Sequence, residues 1–205
     1  MLRDRALGVC DTVRGCMLTD NKEGISKVAR MRGRVYIENL ILLGDPLLRS
    51  QCRPVLDVKD REVRFILDRM KSMLQWIRDT YGYGRGLAAP QVGSNLRVVY
   101  INTGEDEPLS MINPEIISVS DETRDDWEGC LSIPPLRILV RRHCRVTVGF
   151  LTEQGTETIM EAEGALSGII QHEVDHLDGI LTLDRVQGIN GIYLREEWQR
   201  QFGEG

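Results

Sequence analysis

The chain has no apolar run approaching the length of a membrane span, which excludes a helix crossing a bilayer. It has no C-x-x-C pair. Its five cysteines (10, 16, 52, 130 and 144) are odd in number and irregularly spaced, so no disulfide framework is legible and a reducing, cytosol-like compartment is expected. There is no excess of positive charge: the net charge is −5, which excludes a nucleic-acid binder working through bulk electrostatics. Internal repeats and low-complexity linkers are missing, as is an apolar stretch of the secretory type behind Met1. Histidine is scarce, with three in 205 residues. Apolar residues make 41% and charged residues 28% of the chain, ordinary for one well-buried globular domain with a tail.

Two of the three histidines fall in His172-Glu173-Val174-Asp175-His176, an H-E-x-x-H motif. Apolar Ala165, Leu166, Ile169, Ile170, Val174 and Leu177 surround it at helical spacing, and Gly179 can end the helix. Histidines four apart on a helix share one face, so two imidazoles can reach a single metal ion at about 2.0–2.1 Å. Glu173 projects beside them, where a carboxylate can hold and deprotonate a metal-activated water. The alternative is a helix that happens to carry two histidines.

A metal site needs a further ligand. Cys130, in Glu128-Gly129-Cys130-Leu131-Ser132-Ile133-Pro134, is the leading candidate, because Gly129 frees the backbone to present a thiolate that suits iron or zinc. A buried structural cysteine is the bland alternative. His143, in a polar Arg141-Arg142-His143 run, competes with it, and Asp178 and Asp184 are the downstream acidic options. A third stretch, Gly84-Arg85-Gly86-Leu87-Ala88-Ala89-Pro90-Gln91-Val92-Gly93, allows close backbone approach and holds a neutral amide donor in Gln91; no Lys-Ser/Thr follows, so it is not a phosphate loop.

Residues 1–34 carry no sustained apolar period and are expected to form a peripheral extension; residues 35–205 are expected to form one catalytic domain. Asp45 can N-cap the Pro46 turn. Residues 58–80 carry helical apolar spacing, and Tyr81 to Gly86 breaks that helix. Strands are expected at 96–101, 111–119, 137–140, 144–150 and 156–163, followed by the H-E-x-x-H helix and an apolar segment at 180–183. The expected fold class is α+β, with antiparallel strands around a C-terminal metal-binding helix.

Together the motifs GRGLAAPQVG (84–93), EGCLSIP (128–134) and QHEVDHLDG (171–179), with GDPLLR at 44–49, resemble the peptide deformylase family in order and spacing over about residues 36–187. The resemblance implies a metal-dependent hydrolase that removes the formyl group from N-formylmethionyl ends of nascent chains. It implies that Cys130, His172 and His176 bind the metal with water as fourth ligand, that Glu173 is general base and then acid, and that Gln91 and the Leu131 N–H stabilise the oxyanion. The implied native metal is Fe²⁺, with Zn²⁺, Ni²⁺ or Co²⁺ able to take its place. The implied substrate-binding residues are Arg85, Gly86, Glu128, Gly129, Arg137, Gly168 and Ile169, with Asp175 and Arg142 paired behind the metal helix. The implied partners are formylated nascent chains, met at the ribosome, with no direct contact to nucleic acid or membrane. The implied location is a bacterial-type cytoplasm, with an organelle as the other option.

Three positions depart from the family's pattern. Arg85 and Asp126 stand where aliphatic residues are common, and Gly168 where a larger apolar residue is frequent. The expectation is a more polar pocket for the formylated side chain, with Arg85 and Asp126 either forming an ion pair across its mouth, since a pair costs less to desolvate than either charge alone, or turning outward into water with only their aliphatic stems lining the pocket. A zinc endopeptidase is the rival enzyme, but the H-x-x-G-x-x-H extension is absent. A binding protein that kept the fold and lost activity is the other rival; the intact Cys130, Glu173 and Gln91 argue against it.

Overall fold

The computed structural model describes residues 40–203; the expected extension at 1–34 lies outside the described residues. Three helices and eight strands follow in the order α1 (Arg61–Tyr81), β1 (Gly86–Ala88), β2 (Val98–Ile101), β3 (Leu109–Val119), β4 (Thr123–Glu128), β5 (Leu136–His143), β6 (Arg145–Leu151), β7 (Glu157–Glu163), α2 (Gly164–Leu177), β8 (Ile192–Leu194) and α3 (Arg195–Phe202). The strands make a five-stranded sheet in the order β1-β2-β3-β6-β7 and a three-stranded sheet in the order β4-β5-β8. Every paired strand runs antiparallel to its neighbour.

The larger sheet is covered on both faces. Alternation along its first strands sends Leu87, Val98, Tyr100 and Ile112 toward α1, where Val63, Ile66, Met70, Leu74 and Ile77 meet them. The intervening Ala88, Val99, Ile101 and Met111 go to the other face, against Ile169, Ile170, Val174 and Leu177 of α2. This is why β2 reads as an unbroken apolar run, buried at all four positions, and not as an apolar–polar alternation. Helix α1 is capped at both ends. Asp60 accepts from the Glu62 N–H, and Gly82 closes the C-terminus at φ 72°.

Strand β3 runs through Asn113-Pro114, where a proline would interrupt a regular ladder. The register shifts between Ile112 and Glu115, and Asn113 adopts φ 51°. Its side chain compensates by bonding both backbone groups of Val55, at 2.7 and 2.8 Å. The bulge absorbs the proline, so the strand expected at 111–119 forms as one bent strand.

Four elements lie outside the sequence reading. β1 sits in the glycine-rich turn, β4 is the polar segment TRDDWE, and β8 and α3 follow the apolar segment at 180–183, which forms a 3-10 turn at Thr182–Arg185. Helix α2 is therefore not the last helix. Helix α3 buries none of its residues fully, but its Trp198 and Phe202 join Trp127 of β4 and Tyr193 of β8 in an aromatic cluster. Among the described residues no helix is long and apolar enough to cross a membrane.

Candidate active site

One turn of α2 separates His172 and His176, whose ring centroids lie 5.1 Å apart. Cys130 comes from the loop after β4 and brings its Sγ to 3.2 Å from His176 Nε2. One ligand atom each from Cys130, His172 and His176 falls within 4.8 Å of the others. Ligand distances of about 2.0–2.3 Å put tetrahedral donors at such separations. The competing residues are elsewhere. His143 ends β5 with Nδ1 2.7 Å from the Ser120 carbonyl, Asp178 pairs with Arg97 at 2.5 Å, and Asp184 pairs with Arg49.

The donors are held from behind. His172 Nδ1 lies 2.7 Å from Glu128 Oε2, which leaves Nε2 as the free ring nitrogen. Glu128 also accepts from Arg142 at 2.9 and 3.1 Å, and Arg142 donates to Asp175 at 2.6 Å. Arg185 completes the Asp175 carboxylate at 2.7 Å. The chain Asp175–Arg142–Glu128–His172 thus ties α2 to β4 and β5. Gln171 adds a second tie, accepting from the His143 N–H at 3.1 Å and donating to the His143 carbonyl at 2.9 Å.

Electrostatics follow from this crowding. Burial alone would raise the Cys130 thiol, but the His176 and His172 imidazoles outweigh it and hold the thiol well below its ordinary range. Burial opposes charge on His172 too, yet the Glu128 and Cys130 anions hold it well above its ordinary value. Burial is likewise overcome at Glu128, which His172 and Arg142 draw down to about 2. A thiolate and a carboxylate that retain an imidazole proton this strongly are a setting in which a divalent cation displaces that proton, and a thiolate with two imidazoles suits iron or zinc. The residues present therefore fit a metal.

Glu173 lies beside the donors. It is 4% exposed, and its Oε2 has no hydrogen-bond partner among the described residues. Burial, helped by the Cys130 and Glu128 charges, pushes its carboxyl up to about 7. The carboxylate rests against β1 at Gly86, where any Cβ would collide with Oε1. Gln91 approaches from the 3-10 turn after β1. Its Oε1 accepts from the Ala88 N–H at 2.9 Å, which directs the amide nitrogen to Ser132 Oγ at 3.2 Å and Cys130 Sγ at 3.8 Å.

A cavity of about 540 Å³ opens over these groups. Arg85, Gly86, Gln91, Glu128, Gly129, Cys130, Leu131, Arg137, Gly168, Ile169, His172 and Glu173 line it, while His176 is buried behind and Asp175 and Arg142 stand outside the wall. The Arg85–Asp126 ion pair expected from sequence does not form. Asp126 pairs with Arg124 at 2.6 Å, two residues along the same strand and on the same face of β4, and no ion pair joins Arg85 to an acid among the described residues. Gly168 leaves the room for that pair, since a Cβ there would meet Arg124 Nη2 at 3.6 Å and Asp126 Oδ2 at 3.7 Å.

The sequence reading missed Tyr83, Arg124, Trp127, Ala165, Arg195 and Trp198 in the cavity wall, and the bond between His172 and Glu128. Arg124 was within reach, being two residues from Asp126. Arg195 and Trp198 reach the cavity only because β8 adds to β5 across a long sequence gap, and no local pattern reports that.

The chain is similar to known proteins in sequence and in fold. The polypeptide deformylase family model matches residues 37–191. The peptide deformylase of Natranaerobius thermophilus is 43% identical over 145 residues, 71% of this chain and 89% of that protein. That of Dictyoglomus thermophilum is 38% identical over 149 residues, 73% and 92% of the two chains. Among solved structures, the peptide deformylase of Thermotoga maritima superposes with a TM-score of 0.66 at 34% identity, covering 75% of this chain and 99% of that one. The peptide deformylase of Synechococcus elongatus in complex with actinonin gives 0.68 at 37% identity, covering 79% and 84%. On its sequence and its fold, this chain belongs to the polypeptide deformylase family.

Proposed function

We propose that residues 35–205 form the catalytic unit and hydrolyse the formyl group from N-formylmethionyl ends of nascent chains met at the ribosome in a bacterial-type cytoplasm, with Cys130, His172 and His176 holding one divalent metal, Fe²⁺ in the native enzyme. The observation that carries this reading is the convergence of those three donors beside the buried, unpartnered carboxylate of Glu173. When bound, such a metal supplies Lewis acidity and makes water nucleophilic at neutral pH.

The chain's own residues supply the rest. Glu173 takes a proton from the water that attacks the formyl carbon. A carboxyl raised to about 7 by burial is matched to that exchange near neutrality. Charge then develops on the former formyl oxygen, where the Gln91 amide, oriented by the Ala88 N–H, and the Leu131 N–H donate. Losing one such donor typically costs about 10²–10³ in rate. Glu173 returns its proton to the departing amine nitrogen as the C–N bond breaks, leaving formate and the free N-terminus. Glu128, held by Arg142, keeps His172 in one tautomer.

Metal content and formate release from N-formyl-Met-Ala-Ser, measured anaerobically, test this assignment. Glu173→Ala is expected to keep the metal and lose nearly all deformylation, and Cys130→Ala to lose both. A Glu173→Ala enzyme with most of its kcat overturns the mechanism.

A further inference from the structure

Apart from the metal-site residues and Glu173, the cavity wall carries two groups of charge. Arg124 is neutralised by Asp126. Arg85, Arg137 and Arg195 have no carboxylate partner among the described residues, although the chain as a whole is acid-rich at net −5. Arg137 and Arg195 are half-buried and rest on ring faces: Arg137 lies 5.5 Å from the Trp198 ring centroid and Arg195 lies 3.9 Å from that of Tyr83. Arg137 also packs against Gly129, where any Cβ would collide with it. Burial, with the Arg195 and Arg85 cations adding to it, holds the Arg137 guanidinium below its ordinary range. A guanidinium stacked on a ring keeps its in-plane N–H donors free, and that fork matches a carboxylate. Arg195 Nε and Trp198 Nε1 are both buried without an acceptor. Arg195 and Trp198 belong to α3, beyond the stretch at 37–191 that matches the family model.

We propose that Arg85, Arg137 and Arg195 form a carboxylate-binding subsite that makes the enzyme prefer formylated peptides carrying an acid beyond the formylated residue, either an acidic side chain or the terminal carboxylate of a short peptide. This rests on the deformylase reading of the adjoining site. A carboxylate there supplies the counter-charge that the protein itself withholds, so acid-bearing peptides bind more tightly and arrive faster. Helix α3 thereby becomes a wall of the substrate site.

The test uses the metal-loaded enzyme and four substrates: formyl-Met-Gln amide, formyl-Met-Glu amide, formyl-Met-Ala amide and formyl-Met-Ala free acid. At low ionic strength each acid is expected to exceed its neutral counterpart in kcat/KM by about tenfold or more, and the advantage shrinks as added salt screens it. A rise with the Glu peptide alone assigns the subsite to a side chain, and a rise with the free acid alone assigns it to the chain terminus; either supports the proposal. Arg195→Gln and the solvent-facing Arg85→Gln are each expected to reduce the acid-to-neutral ratio severalfold. Calorimetric binding of the deformylated products Met-Glu amide and Met-Gln amide to the parent enzyme gives the same comparison without turnover. Formate released equally from all four peptides, or a ratio unchanged by both substitutions, overturns the subsite and leaves the deformylase reading intact. No formate from any peptide overturns that reading, and the calorimetric ratio then decides the subsite by itself.

Discussion

Gly86 shows how a single missing methyl group positions the chemistry. The Glu173 carboxylate occupies the space that a Cβ at residue 86 would need. Gly86→Ala is therefore expected to displace Glu173 without touching the metal donors, and a misplacement of about 1 Å in such a group costs on the order of 10²-fold in rate. Metal content should stay at the parent level while kcat falls; a Gly86→Ala enzyme with parental kcat removes the argument. The Arg124–Asp126 pair acts at the same scale. It faces Gly168 in the cavity wall, where a thioether would meet charge in place of hydrocarbon. The parent enzyme should favour formyl-Met over formyl-Gln only weakly, and the double substitution Arg124→Leu/Asp126→Leu should raise that preference about tenfold, the scale of one or two methylene contacts. A formyl-Xaa-Ala-Ser series gives the ratio, and a strongly Met-selective parent contradicts the expectation.

Helix α2 is placed by its polar ties as much as by its apolar face. Arg142 is 3% exposed and answers two carboxylates, the half-buried Glu128 and the buried Asp175; burial opposes its charge, but those partners outweigh it and hold its guanidinium above the ordinary range. Removing one member of a buried ion network leaves the others unpaired, at a cost of about 3–5 kcal/mol. Arg142→Ala is expected to lower the denaturation midpoint by that scale. Asp175→Asn keeps a hydrogen-bond acceptor for Arg142 and Arg185, so it should fold and lose about 10–100-fold in metal affinity or activity. Denaturant unfolding together with metal titration separates the two effects. Parental metal affinity in Asp175→Asn means that the tie has no bearing on the metal.

At the scale of the whole molecule, the larger sheet is clamped between α1 and α2, and ion pairs fasten the segments outside that sandwich. Arg49, in the turn before α1, pairs with Asp184 after α2, and Glu153 joins Lys71 of α1 to Ser110 of β3. Burial opposes ionisation of Asp184, but Arg49 and the Leu181 N–H outweigh it and hold its carboxyl below the ordinary Asp range. A folded-state pKa below the unfolded one stabilises the fold above the unfolded value, and this contribution is lost as pH falls through the folded value. The stability gap between the parent and Asp184→Asn should therefore be full at neutral pH, within about 1 kcal/mol for so exposed a pair. It should close as the pH drops below about 4. Denaturant midpoints across that range check the sign, and a gap that widens in acid refutes it.

The sequence by itself determined the features that depend on local spacing. His172 and His176 share a face because a helix repeats every 3.6 residues, and α1 was legible because its apolar positions repeat the same way. Asp45, Pro46 and Gly82 mark ends that backbone hydrogen bonding requires. The tertiary structure alone decided what depends on chain reversal. β4 carries no apolar alternation, and it is a strand because β5 pairs with it residue by residue from Thr123 to Glu128. Glu128 supports His172 across 44 residues of sequence. Asp126 turns to Arg124 and away from Arg85 because side chains two apart on a strand share a face, while Arg85 enters the cavity from the loop before β1, on the other sheet. Arg195 and Trp198 join the wall because β8 docks on the edge of β5. Spacing along a helix or strand is a property of neighbouring residues, whereas the company a side chain keeps across a cavity is set by how distant segments bury their apolar faces together.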